Sequence, residues 1–98
     1  MKPLFIPLKT EYFEAFKAGL KTTEFRLYGA RWNERTCPIG RPVVLSKGYG
    51  KKDRLEGVVV DFRRSRAITR SPIWRDLYGD KPGEAACIRI HVSITEHP

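Results

Sequence analysis

The sequence contains little cysteine and histidine and no long run of apolar residues. Its two cysteines, Cys37 and Cys87, belong to no CxxC or CxxH pattern, so no zinc site is indicated. His91 falls on the same face of the last predicted strand as Cys87, but about 13 Å farther along, too far for the two to share a metal ion. The pattern therefore predicts neither a metal nor another cofactor.

The lack of long apolar segments also limits where the chain is expected to act. No stretch approaches the ~20 apolar residues that cross a membrane. Leu4–Leu8 is interrupted by Pro7 and is too short for the apolar core of a signal peptide. We therefore expect no membrane partner, a cytoplasmic location and cysteines that stay reduced.

Negative charge is scarce relative to positive charge. Nineteen Lys and Arg residues stand against eleven Asp and Glu residues, which gives a formal net charge of +8. A field of that sign attracts anions, and nucleic acid is the commonest large anion in a cell. The 98 residues fit one domain, 1–98, which is large enough to bury a core without metal or disulfide support.

Alternation of apolar and polar residues predicts a sheet of short strands. Pro7 places the first strand at a sheet edge because it has no N–H for a neighbouring strand. The predicted strands are Leu4–Leu8, Thr23–Tyr28, Pro42–Tyr49, Leu55–Phe62 and a last strand in which Ile88, Ile90, Val92 and Ile94 face inwards.

Two short helices interrupt these strands. Thr10 is predicted to cap the first, which ends at Gly19 and buries a helically spaced face of Phe13, Phe16 and Leu20. Ser71 and Pro72 begin the second, which Gly79 ends. Five to six strands with two small helices predict an α+β fold with a mixed, barrel-like sheet. They exclude a doubly wound parallel sheet, which needs a helix after nearly every strand.

The segment from Lys21 to Arg26 carries the sharpest candidate site. It joins a helix end to a strand start, and Glu24 and Arg26 emerge two residues apart on one strand face. Three charges of mixed sign then lie within roughly 7–10 Å. Lys21 and Arg26 can hold a phosphate while Glu24 accepts a hydrogen bond from a base or hydroxyl. The alternative is that Glu24 and Arg26 only pair on a solvated surface.

The same segment resembles a known family. Gly19-Leu20-Lys21-Thr22-Thr23-Glu24-Phe25-Arg26 reads as Gly-x-Lys-Thr-x-Glu-x-Arg after a helix, and Val44–Gly50 follows as a strand running into a small-residue turn. This arrangement is similar to the ASCH domain of the PUA-like superfamily. The resemblance implies a PUA-like β-barrel whose cleft takes RNA or modified nucleotides. It implies Lys21, Glu24 and Arg26 as cleft residues, with Ser46, Lys47 and Tyr49 as additions from the neighbouring strand end.

The resemblance also implies an enzyme as an alternative. Some ASCH proteins hydrolyse N4-acetylcytidine with a Lys, a Thr and a Glu, and others resemble metal-dependent ribonucleases. Lys21 and Glu24 are then the catalytic candidates, although Glu24 stands where that family has its Thr and the adjacent Thr23 points to the other strand face. Candidates for the missing carboxylate are Asp76, Asp80 and Glu84, and Glu24 with Asp61 could bind a divalent ion.

Further contacts with a nucleic acid are expected from exposed aromatic and basic residues. Trp32, in a basic loop, and Tyr49 are candidates for stacking on bases, with packing of Trp32 over the barrel as the alternative. The basic runs Lys47–Arg54 and Arg63–Arg75 are candidates for phosphate contacts. A third reading is a protein-interaction module. The sequence does not indicate an oligomeric state.

Overall fold

The alternating segments of the sequence form strands in the computed structural model, which describes residues 1–66, 71–79 and 83–93. Within these ranges the chain forms five strands and two helices, which confirms the α+β class. In chain order they are β1 (Leu4–Leu8), α1 (Thr10–Lys17), β2 (Thr23–Leu27), β3 (Pro42–Lys47), β4 (Arg54–Ser65), α2 (Pro72–Tyr78) and β5 (Ala85–Val92).

One curled sheet contains these five strands in the order β1-β3-β4-β5-β2. β1 runs parallel to β3 and the other neighbours are antiparallel, so the sheet is mixed, as predicted. The sheet forms a half-barrel whose edges are β1 and β2, and the edge position predicted from Pro7 is confirmed. The space between these two edge strands is called the seam below.

The inner face of the half-barrel carries the apolar core. In β5 the predicted alternation is confirmed: Ile88 and Ile90 are buried, and Arg89 and His91 between and after them are exposed. Ile94 lies outside the described residues. The core side chains of the other strands are Leu4, Ile6 and Leu8 of β1, Val43 and Leu45 of β3, and Val59 of β4.

β4 changes its inward phase at a bulge. Its register with β5 shifts between Val59 and Asp61, which leaves Val60 as an extra residue that is 41% exposed. A bulge inverts the alternation of faces. Val59 and Phe62 therefore both contact the core although they are three residues apart, and Asp61 faces outward.

α1 covers the core with Phe13 and Phe16, which are 3% and 2% exposed. Burial of each ring stabilises the fold by about 1.5–3 kcal/mol. Two predictions for this helix are wrong. The N-cap is Lys9 and not Thr10, since the helix already includes Thr10. Leu20 is 85% exposed because Gly19, at φ +77°, turns the chain out of the helical phase before it.

α2 begins and ends as predicted. The Ser71 side chain accepts a hydrogen bond from the Trp74 backbone N–H, Pro72 occupies the first turn, and Gly79 caps the C-terminus at φ +63°. The Trp74 side chain is fully buried and stacks on Tyr78 with ring centroids 4.5 Å apart. Neither described helix has the length and apolar character needed to span a membrane.

Gly57 gives a test of the β4–β5 packing. A Cβ at this position would lie 2.6 Å from the His91 backbone oxygen, so β4 and β5 would have to separate. We expect Gly57→Ala to lower the free energy of unfolding by about 1–3 kcal/mol, measured by urea denaturation. Gly50→Ala is the matched control, because its nearest contact would be the Lys47 carbonyl at 3.9 Å. Equal stability of the two variants would contradict the close approach.

Candidate functional site

The seam contains a pocket of about 180 Å³. β1 contributes Pro7 and Leu8 to its wall, and β2 contributes Glu24 and Arg26. Two tyrosines, one from each helix, and Lys9 complete the lining: Tyr12, Tyr78 and Lys9. The pocket therefore lies where the half-barrel stops short of pairing β1 with β2, and both helices help to enclose it.

Glu24 and Arg26 form the floor of this pocket. Alternation in β2 directs both side chains to the inner face, opposite Ile88 and Ala86 of β5. Arg26 Nε donates to Glu24 Oε2 at 2.8 Å, and Arg26 Nη2 donates to the Pro7 carbonyl at 2.7 Å. The guanidinium thus joins the two sheet edges across the seam, where no main-chain ladder joins them in the strand order.

Glu24 is buried to an unusual degree for a carboxylate, at 1% exposure. Its Oε1 atom accepts no hydrogen bond from any residue the structure describes. The Lys21 amine forms an ion pair with Oε1, but its Nζ is 3.7 Å away, beyond hydrogen-bond distance. Oε1 of this buried carboxylate therefore lies beside a cation but accepts no hydrogen bond among the described residues.

Lys21 approaches this pair from a different side. Its amine lies 4.9 Å from the centroid of the Phe25 ring, 5.3 Å from Tyr12 and 5.5 Å from Phe16. The side chain is 10% exposed and lines a separate hollow of about 270 Å³ between the end of α1 and β5. The three predicted charges do converge, but only Glu24 and Arg26 line the seam pocket.

Burial shifts the pKa of both Glu24 and Lys21 towards the neutral form. Loss of water raises the pKa of Glu24 above its usual value of 4.5, although Arg26 and Lys21 oppose the shift. The same loss of water lowers the pKa of Lys21, which Glu24 opposes. Neighbouring charges thus stabilise the charged forms of Glu24 and Lys21 against the free-energy cost of losing water.

The pocket walls are fixed by hydrogen bonds that the sequence did not indicate. Tyr12 donates to the Asp76 carboxylate, which also pairs with Lys9 at 3.0 Å and so ties α1 to α2. Burial, together with this carboxylate, raises the pKa of Tyr12 to about 12. The Tyr78 hydroxyl accepts from the Leu27 backbone N–H at 3.1 Å. Sequence reasoning missed both tyrosines, because they read as part of apolar helix faces.

Trp32 does not present a free ring for stacking on a base. It is 7% exposed and belongs to the core, with the guanidinium carbons of Arg26 and Arg31 5.1 Å and 5.3 Å from its ring centroid. The packing alternative holds for this residue. Its contribution to the site is a cation–π contact under Arg26, which helps to fix the guanidinium.

The three residues expected from the end of β3 separate into different positions. Ser46 is fully buried and donates to the Gly50 carbonyl at 3.0 Å, so it supports the turn after β3 and does not line the pocket. Lys47 pairs with Glu14 of α1 at 3.0 Å. Tyr49 projects from the turn at 84% exposure. Of the three, only Tyr49 offers a free aromatic surface.

The candidates for catalysis and metal binding do not come together. Thr23 and Asp61 line a hollow on the outer face of the sheet, opposite in direction to Glu24. Asp76 is engaged by Tyr12 and Lys9, and Glu84 pairs with Arg64 at 2.9 Å. Asp80 lies outside the described residues. Among the residues that the structure describes, no group of three His, Cys, Asp or Glu side chains could hold a metal ion.

The basic run Arg63–Arg75 is divided between the two faces of the sheet. Arg63 pairs with Asp61 on the outer face at 3.1 Å, whereas Arg64 stacks over Tyr28 and pairs with Glu84. Residues 67–70 lie outside the described part of the chain. The described portion of this run therefore does not form one continuous cationic strip.

The raised pKa of Glu24 predicts how stability depends on pH. The folded state keeps the Glu24 proton at pH values where the unfolded state has lost it, so this group destabilises the fold as pH rises from 4.5 towards the folded pKa. Glu24→Gln carries no titrating proton. We expect the unfolding free energy of the wild type minus that of Glu24→Gln to fall with rising pH.

Urea denaturation at constant ionic strength between about pH 4 and pH 7.5 measures this difference, whose slope can reach about 1.4 kcal/mol per pH unit. Subtracting the variant removes the contributions of the other carboxylates. A difference that increases with pH would mean that Arg26 and Lys21 outweigh burial and lower the Glu24 pKa instead.

Comparison with known proteins defines the fold. No protein-family model and no curated protein matches the sequence. Among solved structures, the chain is similar to the crystal structure of the hypothetical protein PH0355, with a TM-score of 0.68 and 21% sequence identity. The match covers 94% of this chain and 100% of that one. The two chains share a small half-barrel with a mixed sheet, which is consistent with a PUA-like barrel.

Proposed function

We propose that the chain is an ASCH-like domain that binds RNA or a modified nucleotide, with one base held in the seam pocket. The observation that carries this proposal is the buried Glu24 carboxylate, which lines the pocket and whose Oε1 accepts no hydrogen bond among the described residues. The excess of positive charge supports an anionic ligand. A nucleotide combines the two requirements, since its base carries N–H donors and its phosphate is anionic.

The floor of the pocket suits the edge of a base. The Glu24 carboxylate can accept a hydrogen bond from an amino or imino group, as carboxylates do with the cytosine amine. Arg26 uses Nε and Nη2 on Glu24 and Pro7, and its remaining N–H groups can donate to a carbonyl or ring nitrogen. An adjacent donor and acceptor is the pattern that base edges present.

The walls suit a flat ring. The pocket volume of about 180 Å³ is below the roughly 300–1,000 Å³ of pockets that enclose drug-sized ligands. It therefore favours one planar group, while the sugar and phosphate stay outside near Lys9. Tyr12 and Tyr78 line the space on the helix side, and aromatic rings are the surfaces on which bases stack.

The enzyme alternative has less support from the geometry. A Lys, a Thr and a Glu acting on one acylated base need to reach a single substrate. Lys21 and Glu24 lie 3.7 Å apart, but Thr23 lines a hollow on the opposite face of the sheet. A ribonuclease using Glu24 and Asp61 needs both carboxylates around one ion, yet they lie on opposite faces of the sheet. We therefore propose binding as the function, in the cytoplasm.

Isothermal titration calorimetry with each of the four ribonucleoside 5′-monophosphates tests whether the pocket binds a nucleotide. We expect saturable binding of at least one nucleotide, weakened tenfold or more, or about 1.4 kcal/mol, by Glu24→Gln and by Arg26→Lys. Lysine cannot span both Glu24 and the Pro7 carbonyl as the planar guanidinium does. Thermal unfolding of each variant checks that it remains folded.

The matched control is Asp61→Asn on the outer face. It removes the same negative charge as Glu24→Gln, and the loss of a carboxylate alone strengthens the attraction of an anion. Weaker binding by Glu24→Gln with unchanged or stronger binding by Asp61→Asn would therefore identify a hydrogen-bonding role. Equal binding by the wild type and Glu24→Gln would overturn the pocket as the nucleotide site.

A further inference from the structure

The turn between β3 and β4 lies directly beside the seam pocket. The Gly48 backbone N–H donates to the Leu8 carbonyl at 2.8 Å, and Leu8 lines the pocket. Gly48 has φ +64°, a conformation that glycine adopts without strain, and Tyr49 follows it. The exposed ring of Tyr49 is thus placed one residue from a main-chain contact with the pocket wall.

This turn is held in position by hydrogen bonds at its base. The Lys47 backbone N–H donates to the Asp53 carbonyl at 3.1 Å, and the buried Ser46 hydroxyl donates to the Gly50 carbonyl. These bonds fix the path of the turn while Tyr49 stays 84% exposed. An aromatic ring displayed on a fixed turn loses little conformational freedom when a partner binds to it.

The cations of the turn differ from those at the pocket rim. Lys9, which lines the pocket, pairs with Asp76, and Lys47, at the end of β3, pairs with Glu14. Lys51 and Lys52 form no ion pair within the described ranges, and both are exposed. Together with Asp53 and with Arg54, the first residue of β4, they make a segment of three cationic residues and one carboxylate, a net charge of +2. The free positive charge therefore lies beyond the rim, around Tyr49.

We propose that the ligand is a single-stranded nucleic acid, which places one base in the seam pocket and runs its neighbouring nucleotides over the β3–β4 turn. Tyr49 stacks on a neighbouring base, and Lys51 and Lys52 contact the phosphates. This inference rests on the proposed function of the pocket and adds that a polymer, and not a free nucleotide, is bound. A stacking ring beside a cationic path is the arrangement by which proteins hold single strands.

The test compares a mononucleotide with a short strand. A fluorescent mixed-sequence RNA of about six nucleotides, and DNA of the same sequence, are titrated by anisotropy against the wild type, Tyr49→Ala, Tyr49→Phe and Lys51→Gln/Lys52→Gln. The double variant Lys2→Gln/Arg89→Gln is the charge-matched control, since both positions are exposed and Arg89 faces away from Glu24. Mononucleotide binding is measured for the same proteins.

We expect the strand to bind at least tenfold more tightly than the mononucleotide. Tyr49→Ala should weaken strand binding about fivefold or more, while Tyr49→Phe keeps the stacking ring and the affinity. Lys51→Gln/Lys52→Gln should weaken it further and reduce the salt slope by about 0.7 for each lost phosphate contact, more than the control does. Binding of the mononucleotide should be unchanged by all the turn variants. Preference for RNA over DNA would identify RNA as the strand.

Two results would overturn the inference in distinguishable ways. If the mononucleotide binds through Glu24 and the strand binds no better, or the turn variants have no effect beyond the control, the proposed function survives and the path over the turn does not. If strand binding depends on the turn but is indifferent to Glu24→Gln, both the pocket and the path that leads from it are wrong.

Discussion

The contact on which the site depends is the bridge from Arg26 to Glu24 and to the Pro7 carbonyl. A half-barrel ends in two edge strands, and their unpaired main-chain groups need partners when they are shielded from water. Here the Arg26 guanidinium supplies a partner at the seam, because it donates one hydrogen bond to a β1 carbonyl and another to a β2 carboxylate. Because the bridge is a side chain and not a ladder, the two edges stay apart and leave room for the pocket between them.

The residues around this bridge offset the cost of burying charged groups away from water. A buried carboxylate is strongly unfavourable unless it is paired. Glu24 has Arg26 in direct contact and Lys21 at 3.7 Å. Both cations lie over aromatic rings, Arg26 on Trp32 and Lys21 on Phe25, which supply attraction where water cannot. The aromatic residues around the motif therefore serve the charged groups as well as the core.

Part of this arrangement could be predicted from the sequence, and part could not. Alternation correctly placed Glu24 and Arg26 on one face of β2, and Pro7 correctly indicated that β1 lies at an edge. Alternation did not identify the charged face as the inner one, because a strand with Phe25 on one side and two charges on the other reads as solvated on the charged side. Only pairing with β5, which sets Glu24 opposite Ile88, fixes the orientation.

Residues whose position depends on non-local packing were the least predictable. Leu20 has the helical spacing of Phe16, but the turn at Gly19 removes it from the helix and leaves it exposed. For Trp32, in a loop of basic residues, the sequence left open both stacking on a base and packing over the barrel, and the ring packs in the core. The phase change in β4 needs one extra residue, Val60, that no local pattern marks. The wall tyrosines Tyr12 and Tyr78 come from helices far apart in the chain, so only the fold brings them to one pocket.

Replacing a buried ion pair with apolar residues of similar volume is often neutral or stabilising, so closure of the seam alone does not require the charges of Glu24 and Arg26. An arginine whose only task was to neutralise Glu24 would do so best with two parallel hydrogen bonds. Arg26 instead makes one bond to Glu24 and turns its second to Pro7, which leaves Oε1 as an acceptor. The carboxylate thus keeps hydrogen-bonding capacity that Arg26 does not use, as the proposed role of the pocket in binding a base requires.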